Sequence, residues 1–292
     1  MFVQKSFEKG HEEGKLYLVA TPIGNLEDMT VRAIRTLREV DMIAAEDTRQ
    51  TRKLLTHFEI ETRLISYHEH NKTASGPEII RMLKEGKSFA LVSDAGLPAI
   101  SDPGQELVRD AVAEEIPVIP IPGPNAGLSA LIVSGISTDR FVFRGFLPRD
   151  KKERRTELER LRYYPETLIF YESPHRITKT VKEMEEVLGD RQIVLGRELT
   201  KRYEEFTRGT MEEVLHFLEE HEEIRGEFTV IVAGYTGGAE DNQDNWWSEL
   251  DVASHVDRYI EKGWNKKEAL KQAAEDRGLP KREIYNEYHK NE

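Results

Sequence analysis

The sequence has 292 residues, 38% of them hydrophobic and 33% charged, which suits two cored domains with a small appendage and a heavily solvated surface. It has no cysteine, and this excludes disulfides, thiolate-bound zinc and thiol catalysis. A formal charge of −12 excludes a protein that coats nucleic acid indiscriminately, because phosphate affinity comes from clustered Lys and Arg. No apolar run approaches the roughly 18 residues of a membrane span, and the charged start from Met1 to Lys15 lacks the apolar core of a signal peptide. The expectation is a cytoplasmic protein with no membrane partner.

Short apolar runs then alternate with helical periodicities, as in parallel sheets fed by crossover helices. Strands are predicted at Leu16 to Ala20, Met42 to Ala45, Leu64 to Tyr67, Phe89 to Val92 and Val118 to Ile121. Val31, Ile34 and Leu37 share one face of a first helix, with Asp28 and Thr30 available as caps. Further helices are predicted at Arg49 to Phe58, Pro77 to Glu85, Gln105 to Glu114 and Asn125 to Val133. A second series has strands at Phe141 to Arg144, Leu168 to Tyr171, Ile193 to Arg197, Phe206 to Arg208 and Phe228 to Ala233. Helices at Glu153 to Leu161, Ile177 to Leu188 and Met211 to Glu219 separate them. The later strands crowd together on short links, which points to a mixed sheet.

The fold class is therefore α/β, with an extension at residues 1–14 and domains at 15–135 and 136–235. Residues 236–245 are rich in Gly, Asp and Asn and read as a linker. Residues 246–292 form a helical tail: Trp247, Leu250, Val256 and Ile260 mark one helix, Lys266 to Arg277 a second and Lys281 to His289 a third. Two short helices around a Gly-containing turn suit either an RNA-docking module or a packing appendage. The tail carries nine basic and ten acidic residues from Trp246 onward, so bulk charge does not decide between them. Between Arg144 and Tyr163 eight basic residues stand against four acidic ones, which is either a solvated helix with internal pairs or a phosphate-facing patch.

Familiar nucleotide motifs are absent. The first strand is followed by Thr21-Pro22-Ile23-Gly24-Asn25 in place of a G-x-G-x-x-G loop, and Gly86-Lys87-Ser88 fails as a phosphate loop because Arg81 stands where the first glycine belongs. What the chain has instead is Gly/Pro/Asp loops at the carboxyl ends of strands, where open α/β sheets bind ligands. These are Thr21 to Asn25, Ser93 to Gly104 with two aspartates, and Pro120 to Gly127. His68 and His70 have no evident third ligand, so no metal is expected.

Several segments together carry a family resemblance. They are Leu16 to Leu26, Ala45-Glu46-Asp47-Thr48-Arg49, Ser66 to Asn71, Val92 to Gly96, Ile100 to Gly104, Tyr171 to Arg176 and Gly196 to Lys201. From about Lys15 to Gly234 the chain resembles the tetrapyrrole-methylase superfamily, in the branch that methylates a cytidine ribose 2'-hydroxyl of small-subunit (16S) ribosomal RNA. The resemblance implies S-adenosylmethionine folded into a cleft between two α/β domains of a homodimer, with the small ribosomal subunit or its RNA as partner. It implies cofactor contacts from Pro22, Asp94, Ala95, Gly96, Pro98, Ile100, Ser129 and Ala130 on one side, and from Tyr171, Leu199, Gly226 and Glu227 on the other. The corrin and porphyrin members carry a glycine-rich first loop ending in Gly-Asp, which this chain lacks.

Methyl transfer to a hydroxyl needs alignment and a proton acceptor. Glu46, Asp47, Glu198 and Lys201 are the candidate catalytic groups, and Arg49, Arg176 and Arg197 are candidates for RNA phosphate or alkoxide contacts. Two other readings stay open: a tetrapyrrole C-methyltransferase, and a noncatalytic RNA-binding protein on the same fold.

Overall fold

The computed structural model describes residues 2–5, 14–221, 224–237, 247, 250–261 and 263–291. Most of the expected linker and of the N-terminal extension lies outside the described residues. Chain contacts divide the molecule into two compact units, Met1–Tyr235 and Thr236–Glu292.

The first unit opens with five parallel strands: β1 (Leu16–Val19), β2 (Met42–Ala45), β3 (Arg63–Ser66), β4 (Phe89–Val92) and β5 (Val118–Ile121), in the order β3-β2-β4-β1-β5. Helices α1 (Val31–Glu39), α2 (Thr48–His57), α3 (Lys72–Lys84), α4 (Gln105–Ala113) and α5 (Ala126–Ser134) follow the strands in turn. The period-2 alternation of strand side chains fills both sheet faces. Ile43, Ala45, Ala90 and Val92 pack with Ala33, Leu37 and Leu55, whereas Ala44, Phe89 and Leu91 pack with Ile79, Leu83 and Leu107. The chain steps outward from β1 to β3, then returns to place β4 between β2 and β1. Such reversals open a crevice at the carboxyl ends of the strands, the usual ligand position of an open α/β sheet.

Local capping sets the helix starts. Thr30 caps α1 by accepting from Ala33 N at 3.1 Å, and Asn125 caps α5 by accepting from Leu128 N at 2.9 Å. Helix α3 begins at Lys72, five residues before the expected start, and carries Pro77 inside it. A residue before proline is pushed out of the helical region by a clash with its Cβ. Gly76 stands in that position and has no Cβ, so the helix runs through.

The second sheet is mixed. Strands β6 (Phe141–Phe146), β7 (Thr167–Glu172), β8 (Gln192–Arg197), β9 (Glu205–Thr210) and β10 (Phe228–Val232) lie in the order β6-β7-β10-β8-β9, with only the β6/β7 pair parallel. One face packs on α6 (Lys151–Leu161), α7 (Ile177–Leu188) and α8 (Met211–Glu220) through Phe170, Leu195 and Val230. The other face presents Ile169, Val194 and Ile231 to Ala130 and Leu131 of α5. The last helix of the first half thus packs on the sheet of the second, and Gly127 permits the approach: a Cβ there would sit 3.3 Å from Ile169 Cγ2. Fully burying an aliphatic side chain of this kind stabilises the fold by about 1.5–3 kcal/mol.

Half of the eight cations between Arg144 and Tyr163 are held by carboxylates, three of them within the stretch and Arg154 by a partner on α7. Arg154 is buried and forms a bidentate pair with Glu183, and Arg144, Arg155 and Arg160 pair with Glu157 or Glu159.

The second unit holds α9 (Val252–Glu261), α10 (Lys266–Arg277) and α11 (Lys281–Tyr288) around Val256, Leu270, Ala273 and Ile284. Helix α9 starts after Trp247 and Leu250, because the Asp251 carboxylate accepts from Ser254 N at 2.7 Å and ends the chain's freedom to continue the helix upstream. Trp247 instead stacks on the buried ring of His255 at 5.3 Å.

Candidate active site

The crevice is built from tightly specified backbone. Thr21 N donates to Gly96 O at 2.9 Å, and Gly96 N donates to Thr21 O at 3.0 Å, so the loops after β1 and β4 are stitched together. Ala99 and Ser101 hold the left-handed region with φ of 68° and 62°. Such non-glycine residues cost on the order of 1–3 kcal/mol each and cluster at functional sites. On the facing side Glu198 and Thr200 do the same, at 49° and 67°.

These loops border a cleft of about 480 Å³ between the two sheets' loop regions, a size suited to a small organic ligand. Its apolar walls include Ile23, Leu97, Ile100, Ala126, Phe146 and Leu199. Asp94 and Asp102 enter from the first half, and Glu227 and Lys201 from the second. A ligand with an apolar body and cationic groups meets complementary surface here. Tyr171 also lines the cleft; its hydroxyl accepts from Gly127 N at 3.2 Å, and its ring meets Phe143 edge-on at 5.1 Å.

Asp102 is the most perturbed carboxyl of the site. Burial, reinforced by the negative charges of Glu46 and Asp94, pushes its pKa up to about 7. Its side chain has no ion-pair or hydrogen-bond partner among the described residues. Glu46 is raised as well, by burial and by Asp94. Parallel pairing of β2 with β4, in which Ala45 opposes Val92, is what brings these carboxyls together.

Across the cleft Lys201 is held between two carboxylates. Its Nζ donates to Glu198 Oε1 at 2.8 Å and to Glu227 Oε2 at 3.2 Å, while Glu227 N donates to Glu198 Oε1 at 3.0 Å. Burial works to lower the ammonium's pKa, but the hydrogen bonds to Glu198 and Glu227 outweigh it and raise it. Lys201 is therefore charged at neutral pH, and its hydrogen bond holds Glu198 below the ordinary carboxylate range. The two halves meet closely at this point: a Cβ on Gly24 would fall 2.4 Å from Lys201 Cγ.

Of the residues singled out in the sequence, Asp94, Ala95, Gly96, Ile100, Tyr171, Leu199, Lys201 and Glu227 line the cleft. Pro22 lines an adjoining recess that shares Asp94 with it. Pro98, Ser129 and Ala130 stand outside the lining, Ala130 packing behind Leu199, and Gly226 lies against Glu198. Asp47 caps α2, donates its backbone N–H to Asp94 Oδ1 at 3.1 Å, and holds Arg49, whose hydrogen bond lowers the carboxyl's pKa to about 2. Arg176 donates to Leu147 O and Pro148 O at 3.1 Å and so braces the wall. Arg197 pairs with Glu205 at 3.1 Å. Asp102 was not among the candidates, although its place as the second aspartate of the Ser93 to Gly104 loop was a signal.

Residues 15–215 match the family model of Tetrapyrrole (Corrin/Porphyrin) Methylases. The chain belongs to this methylase family. Within it, the chain is 57% identical over 289 residues to Ribosomal RNA small subunit methyltransferase I of Halalkalibacterium halodurans, covering 99% of both chains. It is 57% identical over 286 residues to the protein of the same name in Bacillus subtilis, covering 98% of both. At this identity it falls in that branch of the tetrapyrrole methylases. Among solved structures, uroporphyrin-III C-methyltransferase from Thermus thermophilus, complexed with S-adenosyl homocysteine, superposes with a TM-score of 0.54 at 20% identity, covering 75% of this chain and 97% of that one. Diphthine synthase gives 0.57 at 14% identity, covering 75% and 90%. These two similarities establish the tetrapyrrole-methylase fold.

Proposed function

We propose that the protein methylates the 2'-hydroxyl of a cytidine ribose in small-subunit (16S) ribosomal RNA, with S-adenosylmethionine as methyl donor. The observation that carries the reading is near full-length identity of 57% to proteins named as small-subunit ribosomal RNA methyltransferases. The donor supplies, when bound, a methyl group on a cationic sulfur, which needs only an oxygen in line and a place for that oxygen's proton.

The residues of the cleft fit this donor. Asp94 and Glu227 suit its cationic groups, and Ala95, Gly96, Ile100, Tyr171 and Leu199 suit its body. Ala130 backs Leu199, Pro22 borders the adjoining recess that shares Asp94, and Gly226 lies against Glu198, whereas Pro98 and Ser129 stand outside the lining. Positioning supplies most of the barrier reduction in such a displacement. Asp102 accepts the hydroxyl proton, because a carboxylate with no partner among the described residues and a pKa of about 7 is a base at working pH. Glu46 raises its basicity, and the Lys201 ammonium, fixed by Glu198, stabilises charge developing on the ribose oxygen. Arg49, tied to Asp47, and Arg197 contact phosphates, whereas Arg176 holds the wall.

Residues 15–135 and 136–235 act as two domains around the cleft, and residues 246–292 assist docking on RNA. A chain ending at residue 235 should bind S-adenosylmethionine normally yet show a raised Michaelis constant for small subunits; equal constants would remove the tail's role. Leu128, Ile132 and Val133 on α5 are exposed, Ile132 to 73%, and a second copy of the chain covers them in a cytoplasmic homodimer. Ultracentrifugation should find a dimer for the native protein and a monomer for Ile132→Glu, and a dimer for both would exclude this face. Among the described residues no helix is long and apolar enough to cross a membrane.

The reaction itself is tested by incubating the protein with small ribosomal subunits and labelled S-adenosylmethionine, then digesting the RNA for mass spectrometry. The expected product carries the methyl on a cytidine ribose. Methyl on a base, or on a porphyrinogen offered in its place, overturns the reading.

A further inference from the structure

We propose that the outward faces of α1 and α2 form a track for the phosphate backbone of the RNA substrate beside the cleft, an inference that rests on the RNA-methylating function above. Helix α1 carries Arg32, Arg35 and Arg38 with one carboxylate, Glu39, and α2 carries Arg49, Arg52 and Lys53 with none. Six cations and one carboxylate in two short helices stand out in a chain of net charge −12. Like charges concentrated in this way repel and cost stability unless a counter-charge arrives.

Many surface cations elsewhere already have one. Arg81 pairs with Glu78 and Glu85, Lys84 with Glu114 and Arg155 with Glu159. On the α1–α2 face, by contrast, the Arg35 and Arg52 side chains have no ion-pair or hydrogen-bond partner among the described residues. Arg38 is bonded to a backbone carbonyl, Phe58 O at 2.7 Å, and Lys53 to a neutral amide, Gln50 Oε1 at 3.0 Å. None of these four forms an ion pair with a carboxylate among the described residues, so their charge is available to phosphate.

The placement leads to the site. Both helices pack on the same core through Ala33, Leu37 and Leu55, and the Arg38 bond to Phe58 O ties α1 to the end of α2. Lys53 lines the recess of Pro22, Gly24 and Asp94, and Asp94 is also a wall of the cleft. Cationic surface therefore runs from α1 across α2 to the edge of the reaction site. Phosphate contacts of this kind fix the register of a nucleic acid without reading its sequence.

The test is the full-length triple variant Arg35→Ala, Arg52→Ala, Lys53→Ala, with binding to purified small ribosomal subunits read by co-sedimentation between 50 and 200 mM salt, as roughly the range where phosphate contacts dominate. Each phosphate contact on single-stranded RNA contributes about 0.7 to the slope of log affinity against log salt, so the three together should reduce it by about 2. At physiological salt the dissociation constant should rise at least tenfold, as an order-of-magnitude expectation. Affinity for S-adenosylmethionine should stay unchanged, and Arg35→Lys with Arg52→Lys should retain native binding. Paired cations give the contrast: Arg155→Ala with Arg160→Ala should leave the slope as it was. A folded triple variant with native affinity and native slope overturns the track. Because binding is read without turnover, that failure is distinct from a native protein that binds subunits but transfers no methyl, which would instead overturn the proposed function.

Discussion

Replacing Asp102 with Asn is expected to lower turnover at pH 8 by at least about 100-fold, within the usual range for removing a general base, while S-adenosylmethionine affinity changes by less than about threefold. The carboxyl lines the cleft and has no partner among the described residues, so its removal takes away a proton acceptor without breaking an existing hydrogen bond. It faces Glu46 from the end of β2, Asp94 from the loop after β4 and Tyr171 on β7, and shares the lining of the cleft with Glu172. With its pKa near 7, the native rate should fall as pH drops through neutrality, and the variant should lose that limb. The apparent value belongs to the coupled carboxyls and not to one alone. Glu198→Gln should keep the limb, because Lys201 holds Glu198 ionised well below it. A limb that survives in the Asp102 variant and vanishes in the Glu198 variant would transfer the base to Glu198.

The same carboxyl links stability to pH. A folded pKa raised from 3.8 to about 7 means that protonation favours the native state. The contribution is fully present below the unfolded value and is lost as pH rises through 7. A displacement of that size is worth about 4 kcal/mol in a dry site, and water in the cleft reduces it to roughly 1–2 kcal/mol. Asp102→Asn should therefore melt above the native protein at pH 8, with the advantage shrinking toward pH 5. An inactive variant that is also more stable at high pH separates a catalytic role from a structural one.

The order of strands and helices was legible because both sheets are built from short apolar runs with clear punctuation, and the loops at Thr21 to Asn25, Ser93 to Gly104 and Pro120 to Gly127 could be placed at strand ends, whereas Lys201 entered only through the family resemblance. Chemistry that arises from neighbours in space was harder to read. Asp102 acquires its basicity from Glu46 and Asp94, which the β2/β4 register brings beside it, and no local spacing expresses that pairing. Charge counting alone left a solvated helix with internal pairs and a phosphate-facing patch both open for the Arg144 to Tyr163 run, and the Arg155–Glu159 and Arg160–Glu157 pairs agree with the first. The run from Arg144 to Tyr163 looks cationic in one dimension, yet Arg154 lies buried against Glu183. The cations of α1 and α2 fall in two separate segments and share a face only after folding. Pro77 suggested a helix start, and Gly76 before it lacks the Cβ that would clash with the proline ring, so the helix begins further upstream at Lys72.

Gly96→Arg is expected to abolish detectable S-adenosylmethionine binding, a loss of at least about 100-fold in affinity and so about 2.7 kcal/mol or more, in a protein that still folds. Gly96 holds φ at 80°, a conformation that costs an L-residue about 1–2 kcal/mol. Its N–H and C=O both bond Thr21, so the peptide cannot turn away to relieve that cost. A Cβ would nevertheless fit, 3.4 Å from Ile23 Cγ2 and 3.6 Å from Pro124 O. Gly96→Ala should therefore show the small backbone penalty, with affinity within about fivefold of native by the same strain argument. Arginine adds a long cationic arm beyond the Cβ. Gly96 and Ile23 both line the cleft, so that arm has to occupy the volume meant for the ligand. Calorimetry measures the affinities directly, and thermal melts with and without S-adenosylmethionine give a second readout, since a ligand that binds the native state raises its melting temperature. The rise should appear for the native protein and Gly96→Ala and be missing for Gly96→Arg. A folded Gly96→Arg protein with native affinity would place the cofactor somewhere other than this cleft.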